Sequence, residues 1–305
     1  MIGRIASFCF LAIAILCTSA AAQGREALGY GRIIVNDLFG DGRDRWRTGS
    51  ISTSRVLGFG WNGRLPEHFG EIIEIRYGAE IISPQKLNSA GSGDRPFAGA
   101  MSWGLHTHFR LKNTEFSVGG ELVAIGPMTQ LDEVQKLLHE LLGIPSASNT
   151  VLAAQLSNQW SARAVAEVGR NFYLGNRSRL RPFAEARAGD ENLLRTGFDF
   201  TFGTFGQGEL LIRDWVTGHR YRAIKNQQPG LSFVLGADVA KVFDSVYLPS
   251  SRGLTLTNAR NRVRAGLHWQ RKKSHFFYGL TWLDKEFVGQ NQSQVVGAIR
   301  LDVKF

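Results

Sequence analysis

Cysteine is almost missing from this chain. There are two in 305 residues, Cys9 and Cys17, and both fall within the first 22. The remainder can form neither a disulfide framework nor a Cys-ligated metal centre, and it has no thiol nucleophile. Long apolar runs are equally scarce. After Cys17, charged residues interrupt every hydrophobic stretch, which excludes a later transmembrane helix of about 20 residues. No Gly-x-Ser-x-Gly elbow occurs, so the commonest serine-hydrolase arrangement is excluded as well. Linkers, internal repeats and low-complexity tracts are lacking, and the chain reads as one domain. Acidic residues are outnumbered, 26 against 36 basic ones, for a formal charge of +10.

The one uninterrupted apolar run stands at the N-terminus. Arg4 precedes it, Ile5 to Cys17 form it, and Ser19, Ala20, Ala21 and Ala22 follow. A basic start, a short apolar core and an Ala-x-Ala ending predict a secretory signal peptide over residues 1–22. Gln23 then opens a mature domain, 23–305. Export sets aside nucleic acid, the partner that a basic chain otherwise suggests. Positive charge on an exported protein is expected to meet lipopolysaccharide phosphates or anionic headgroups.

What recurs after the leader is alternation, the period of a strand with two unlike faces. Val295, Gly297, Ile299, Leu301, Val303 and Phe305 fall on one face of the last segment. Gln294, Val296, Ala298, Arg300, Asp302 and Lys304 fall on the other. An apolar face towards lipid and a polar face towards a lumen is the pattern of a transmembrane β-barrel. A terminal Phe resembles the signal read by the bacterial outer-membrane assembly machinery.

Further strands are expected near Tyr30–Asn36, Thr48–Trp61, Glu71–Ile82, Ala98–Arg110, Glu115–Ile125 and Asn158–Val168. Others are expected near Arg181–Ala188, Gly197–Phe205, Glu209–Arg213, Gly230–Phe243, Arg262–Gln270 and Phe276–Leu283. Twenty Phe and seven Trp supply interfacial girdles. The predicted fold is all-β, a single antiparallel barrel of about 12 strands in the cell outer membrane, with one short helix near the site.

That helix is expected over Met128–Leu142, where Leu131, Val134, Leu137, Leu138 and Leu141 recur at helical spacing. Thr129 or Asp132 can cap its start, and Gly143 followed by Pro145 ends it. Gln135 and His139 are four apart and share a face, so they can address one atom or water. An amphipathic loop helix with a surface histidine gives the same pattern.

Several stretches resemble the lipid A 3′-O-deacylase family of outer-membrane proteins (LpxR type). They are Val35-Asn36-Asp37, Asp44-Arg45-Trp46-Arg47-Thr48-Gly49, Gly93-Asp94-Arg95-Pro96-Phe97-Ala98-Gly99, and Ile125-Gly126-Pro127 followed by Glu133-Val134-Gln135, His139 and Gly143. Gln155-Leu156-Ser157-Asn158 and Lys285-Glu286-Phe287-Val288-Gly289-Gln290 are similar too.

The resemblance implies a twelve-stranded barrel and a Ca²⁺-dependent hydrolase that removes the 3′-linked acyloxyacyl chain of lipid A. It implies roles for Asn36, Asp37, Thr48, Gln135 and His139. Lys86 stands nearest to the family's active-site lysine. Ile144-Pro145-Ser146 occupies the place of a family acidic residue, and Trp46-Arg47 departs from the aromatic residue often found before the threonine.

The chemistry is consistent with these residues. Ester hydrolysis without a serine elbow or thiol can proceed by water that a histidine activates. Ca²⁺ can polarise the ester carbonyl and takes several oxygen ligands, for which Asn36, Asp37 and Thr48 are candidates. Asn36-Asp37 also reads as a turn at a strand end. Asp94-Arg95 reads as an ion pair at a strand mouth. Arg43 to Arg47 could grip lipid A phosphates. A passive porin, or a barrel that binds lipopolysaccharide without chemistry, fits the same strands.

Overall fold

The strands expected from alternation form, with shifted ends, in a computed structural model that describes residues 24–303 apart from positions 90, 92, 227 and 273. The leader and Phe305 lie outside the described residues. The strands are β1 (Glu26–Asn36), β2 (Trp46–Gly58), β3 (Ile73–Ser83), β4 (Ala98–Leu111), β5 (Thr114–Ile125), β6 (Gln159–Arg170), the two-residue β7 (Phe172–Tyr173) and β8 (Ser178–Ala188). They continue as β9 (Glu191–Phe202), β10 (Leu210–Arg213), β11 (Arg220–Ile224), β12 (Gly230–Ser245), β13 (Arg260–Gln270), β14 (Ser274–Leu283) and β15 (Gln294–Val303).

Twelve of them close an antiparallel barrel. Neighbours pair from β1 to β6, β6 meets β8, and β8, β9, β12, β13, β14 and β15 follow until β15 returns to β1. Closure leaves no unpaired sheet edge in the bilayer, the condition for crossing it with strands. No helix among the described residues is long and apolar enough to cross a membrane.

The two faces separate as the sequence pattern requires. On β13, Arg260, Arg262, Arg264 and His268 are buried in the lumen, whereas Val263 and Trp269 face outward. On β14, Phe276, Tyr278, Leu280 and Trp282 face outward. Loops at the end that carries residues 37–45 and 126–158 are long, and the turn joining β4 to β5 at the other end is short. Long loops mark the outward side and short turns the periplasmic side.

One expected wall strand is not in the wall. Glu209–Arg213 corresponds to β10, which pairs only with β11 as an inner hairpin. Leu210, Ile212, Tyr221, Ala223 and Ile224 of this hairpin pack on Ile33, Val35, Val56, Phe277, Val296 and Ala298 of the wall. The hairpin is buried on both faces, its apolar side against an apolar strip of the lumen wall and not against lipid. Its connection also reaches the wall: Trp215 Nε1 donates to Glu80 at 3.0 Å.

Candidate active site at the outward rim

The site is assembled from the β1–β2 connection, a bulge in β2 and a helix between β5 and β6. After β1, Asn36 Oδ1 accepts from Leu38 N at 2.8 Å and caps a turn of 3₁₀ helix, Asp37–Phe39. The turn reading of Asn36-Asp37 is therefore correct as local structure. The same turn buries Asp37, whose Oδ2 accepts from Arg45 N at 3.1 Å. The register of β2 on β3 then shifts between Arg47 and Gly49, and Trp46, Arg47 and Thr48 are consecutively buried. A bulge of this kind re-aims a side chain that strict alternation would turn to the opposite face.

The helix, α1 (Leu131–Leu142), is shorter than expected at its start, because Pro127–Thr129 forms a separate 3₁₀ turn and Gln130 is left-handed at φ 55°. It rests on the ends of β3 and β4. Close approach there requires Gly99: a Cβ at that position would collide with the Thr129 hydroxyl and lie 2.9 Å from Leu131 Cβ. Gly126 turns the chain out of β5 with φ 99°, and a Cβ there would meet the Leu156 carbonyl at 2.8 Å.

Along α1, Leu131, Gln135 and His139 are buried. Leu137 and Leu141 remain 57% and 75% exposed. The polar face is thus the inner one, and His139 is not a surface histidine.

These elements converge on Asp44. Its carboxylate lies 2.8 Å from His139 Nε2, accepts from Gln135 Nε2 at 3.2 Å, and accepts from the Thr48 hydroxyl. His139 Nδ1 lies 2.8 Å from the Pro145 carbonyl. A carbonyl can only accept, so Nδ1 carries a hydrogen, and Nε2, directed at the Asp44 carboxylate, shares a second one with it. Pro145, within the stretch that replaces the family's acidic residue, therefore orients the imidazole through its backbone.

Asp44 opens one of the family-like blocks, but sequence reasoning gave it no role. The usable signal was a carboxylate four residues before Thr48. That the loop would aim it at a helix some ninety residues later is visible only in three dimensions.

The rim also bears on metal binding. Burial and the neighbouring Asp44 carboxylate push Asp37 up to about 8. Two carboxylates that resist sharing negative charge in a dehydrated corner suit a cation. Asn36 and Thr48 add hard oxygens, which fit calcium. Among the described residues no three His, Asp or Glu side chains form a metal cluster, so carbonyls and water would complete a shell.

Other expected residues are placed differently. Lys86 is exposed on the loop after β3 and forms no hydrogen bond or ion pair among the described residues. That loop is nevertheless tied to the segment after α1, since Ser148 N donates to Leu87 O at 2.7 Å. Asp94 and Arg95 are not an ion pair. Asp94 accepts from the Gln85 and Arg95 backbones, while the Arg95 guanidinium pairs with Glu286.

Arg47 is buried against Glu80, Glu191 and Glu286 at 2.7–3.2 Å, and Arg45 pairs with Asp41 at 2.9 Å. Of the basic loop only Arg43 is exposed. Arg45 and Arg47 brace the mouth and cannot reach a phosphate without abandoning these partners. Gln290 Oε1 accepts from Glu286 N at 2.8 Å, which fixes the loop that carries Glu286.

A closed antiparallel barrel with a plugged lumen and a polar cluster under a rim helix defines an outer-membrane barrel whose distinctive site is at its outward edge. The model of the outer-membrane protein LpxR family matches residues 7–305, and the chain belongs to that family. Its fold is similar to that of LpxR from Salmonella typhimurium, with a TM-score of 0.73 and 18% identity over 91% of this chain and 100% of the other. The β domain of the Bordetella autotransporter BrkA is a more distant likeness, with a TM-score of 0.46 and 10% identity over 92% and 100% of the two chains. No curated protein matches the sequence.

Proposed function

We propose that this protein is a calcium-dependent carboxylic ester hydrolase that removes the 3′-linked acyloxyacyl chain of lipid A in the outer leaflet, using water activated by His139. The observation that carries this reading is the His139 geometry. A buried imidazole has Nδ1–H held by Pro145 O and Nε2 directed at Asp44, beside Gln135 and Thr48. In this arrangement Nε2 and Asp44 share a hydrogen; once Asp44 keeps it or turns away, Nε2 is free to take a proton from water, as a general base must.

Asp44 now occupies Nε2 at 2.8 Å, so the water takes its place there when the carboxylate turns away towards the metal. Gln135 orients that water or the ester. Lys86, on the loop tied to the helix segment, approaches the substrate from the open side. Asn36, Asp37 and Thr48 would hold Ca²⁺. Bound Ca²⁺ supplies Lewis-acid polarisation of the carbonyl and charge for the developing oxyanion.

The outward-facing leucines of α1 continue the lipid-exposed surface of the barrel and lie on the side from which acyl chains arrive. Mass spectrometry of lipid A from cells that express the protein tests the reading. Loss of the 3′-linked acyl mass is expected with the native chain and not with His139→Ala. Unchanged lipid A with the correctly folded native chain, in the presence of Ca²⁺, would reject it.

A further inference from the structure

At the end of the barrel opposite His139 lies a second polar space, a cavity of about 600 Å³. It is bounded by the loop after β2, the turn after β4, the end of β6 with β7, and the inner hairpin. Its lining carries ten Arg and Lys side chains but five carboxylates. Part of this excess is met from behind the lining. Arg76 pairs with Glu74 at 2.7 Å, Arg213 with Asp199 at 2.8 Å, and Arg163 with Asp190.

Three cations are not met in this way. Arg64, Lys112 and Arg170 form no ion pair among the described residues, and all three are exposed around the mouth. Deeper in, Arg187 pairs with Glu185 at 2.9 Å, and Arg220 lies 4.0 Å from Glu115. The outward mouth differs. There Arg47, Arg95 and Arg260 are balanced by Glu80, Glu191 and Glu286. Among the described residues, the lining cations without an ion pair are thus the three at the mouth, where the cavity opens to the periplasm.

We propose that this cavity binds a soluble oligoanion from the periplasmic side, one that bears several phosphate or carboxylate groups. The volume lies in the range of small-molecule sites. Guanidinium groups present forked donors to either group, and a low-dielectric wall strengthens their attraction for a multivalent anion. Trp61, Phe172 and Tyr173 on the lining offer flat apolar faces to the carbon skeleton of such a ligand. The site lies inside the wall, so a bilayer lipid cannot enter it sideways. The inference is independent of the hydrolase reading.

The test is calorimetric titration of the folded protein in detergent with EGTA present, using tripolyphosphate, citrate and acetate. Saturable one-to-one binding of tripolyphosphate or citrate, weakening as salt rises, with none for acetate, is expected. Replacing the mouth cations together (Arg64→Ala, Lys112→Ala, Arg170→Ala) should weaken binding at least tenfold while lipid A processing stays unchanged. Glu115→Gln should strengthen it severalfold, because Glu115 accepts from Arg181 Nε at 3.0 Å and competes with the ligand. Heat-modifiable migration on gels checks that each variant is folded. No saturable binding at millimolar probe, or equal binding by the triple variant, overturns the proposal. Cations that served only inner-leaflet headgroups would give the first of these results.

Discussion

Asp44 is where the chemistry of the rim is concentrated, since Thr48, Gln135 and His139 all bond to its carboxylate. Asp44→Asn keeps the shape and removes the charge, and its new amide faces the Gln135 amide and the imidazole. Activity is expected to fall by roughly tenfold to a hundredfold, the usual cost of losing a group that orients a metal-site residue, with folding unaffected. Wild-type turnover in this variant would show that Asp44 is a bystander.

His139→Ala should lose more, on the order of a hundredfold to ten-thousandfold, as expected for a general base. Measured rates on purified lipid A in Ca²⁺ check both variants. The metal assignment is tested separately. EGTA should stop turnover, and Ca²⁺ should restore it better than Mg²⁺, which demands stricter octahedral geometry. Asp37→Ala should shift the Ca²⁺ dependence to higher concentration. Turnover that survives thorough chelation would return the oxyanion to protein donors alone.

At the scale of elements, α1 is amphipathic in an unusual sense. Its buried side carries Leu131, Gln135 and His139, and Leu137, Leu138, Leu141 and Leu142 face out. In water this would waste apolar area worth roughly 25 cal/mol per Å². At the rim of a membrane protein such exposed leucines can meet acyl chains instead of water. Replacing Leu137 and Leu141 together by Ser should slow hydrolysis of vesicle-embedded lipid A by about tenfold, given that scale of apolar burial. Hydrolysis of a short-chain soluble ester should change little. Equal loss on both substrates would mean that the helix had simply unfolded.

The periodicity of this helix was legible in the sequence, and so was the pairing of Gln135 with His139 on one face. Which face would be buried was not, because the answer depends on Asp44 from another loop and on the clearance provided by Gly99.

At the scale of the whole molecule, the inner hairpin decides what passes through the barrel. It packs its apolar face on one side of the lumen, while Arg262 and Arg264 bridge to Asp238 on β12. The native protein is expected to show no porin-like conductance in planar bilayers. A variant with residues 210–224 replaced by a short Gly/Ser linker should conduct. Porin-scale currents from the native barrel would contradict the packed lumen. The protein should also fractionate with outer membranes and migrate heat-modifiably. Deleting Phe305 should impair assembly more than deleting residues just after the leader, because the sequence alternation of the closing segment runs on to that residue.

Alternation in β13, β14 and β15 determined their lipid and lumen faces without reference to the rest of the chain, because a barrel wall sorts each residue by its own polarity against local surroundings. For the same reason the class of fold, the outer-membrane location and the presence of a rim helix could be read from sequence. Glu209–Arg213 shows the limit of that reading. A short apolar run with charged ends suits a wall strand and an inner strand alike, and only tertiary packing distinguishes them. The site depends on tertiary structure still more. Thr48 is aimed by a bulge, His139 is oriented by a backbone carbonyl at Pro145, and Asp44 is brought to both by the fold of a loop. The Pro145 and Thr48 contacts are short in sequence, but the approach of Asp44 to Gln135 and His139 spans some ninety residues. That approach depends on distances between segments that the closing of the barrel sets.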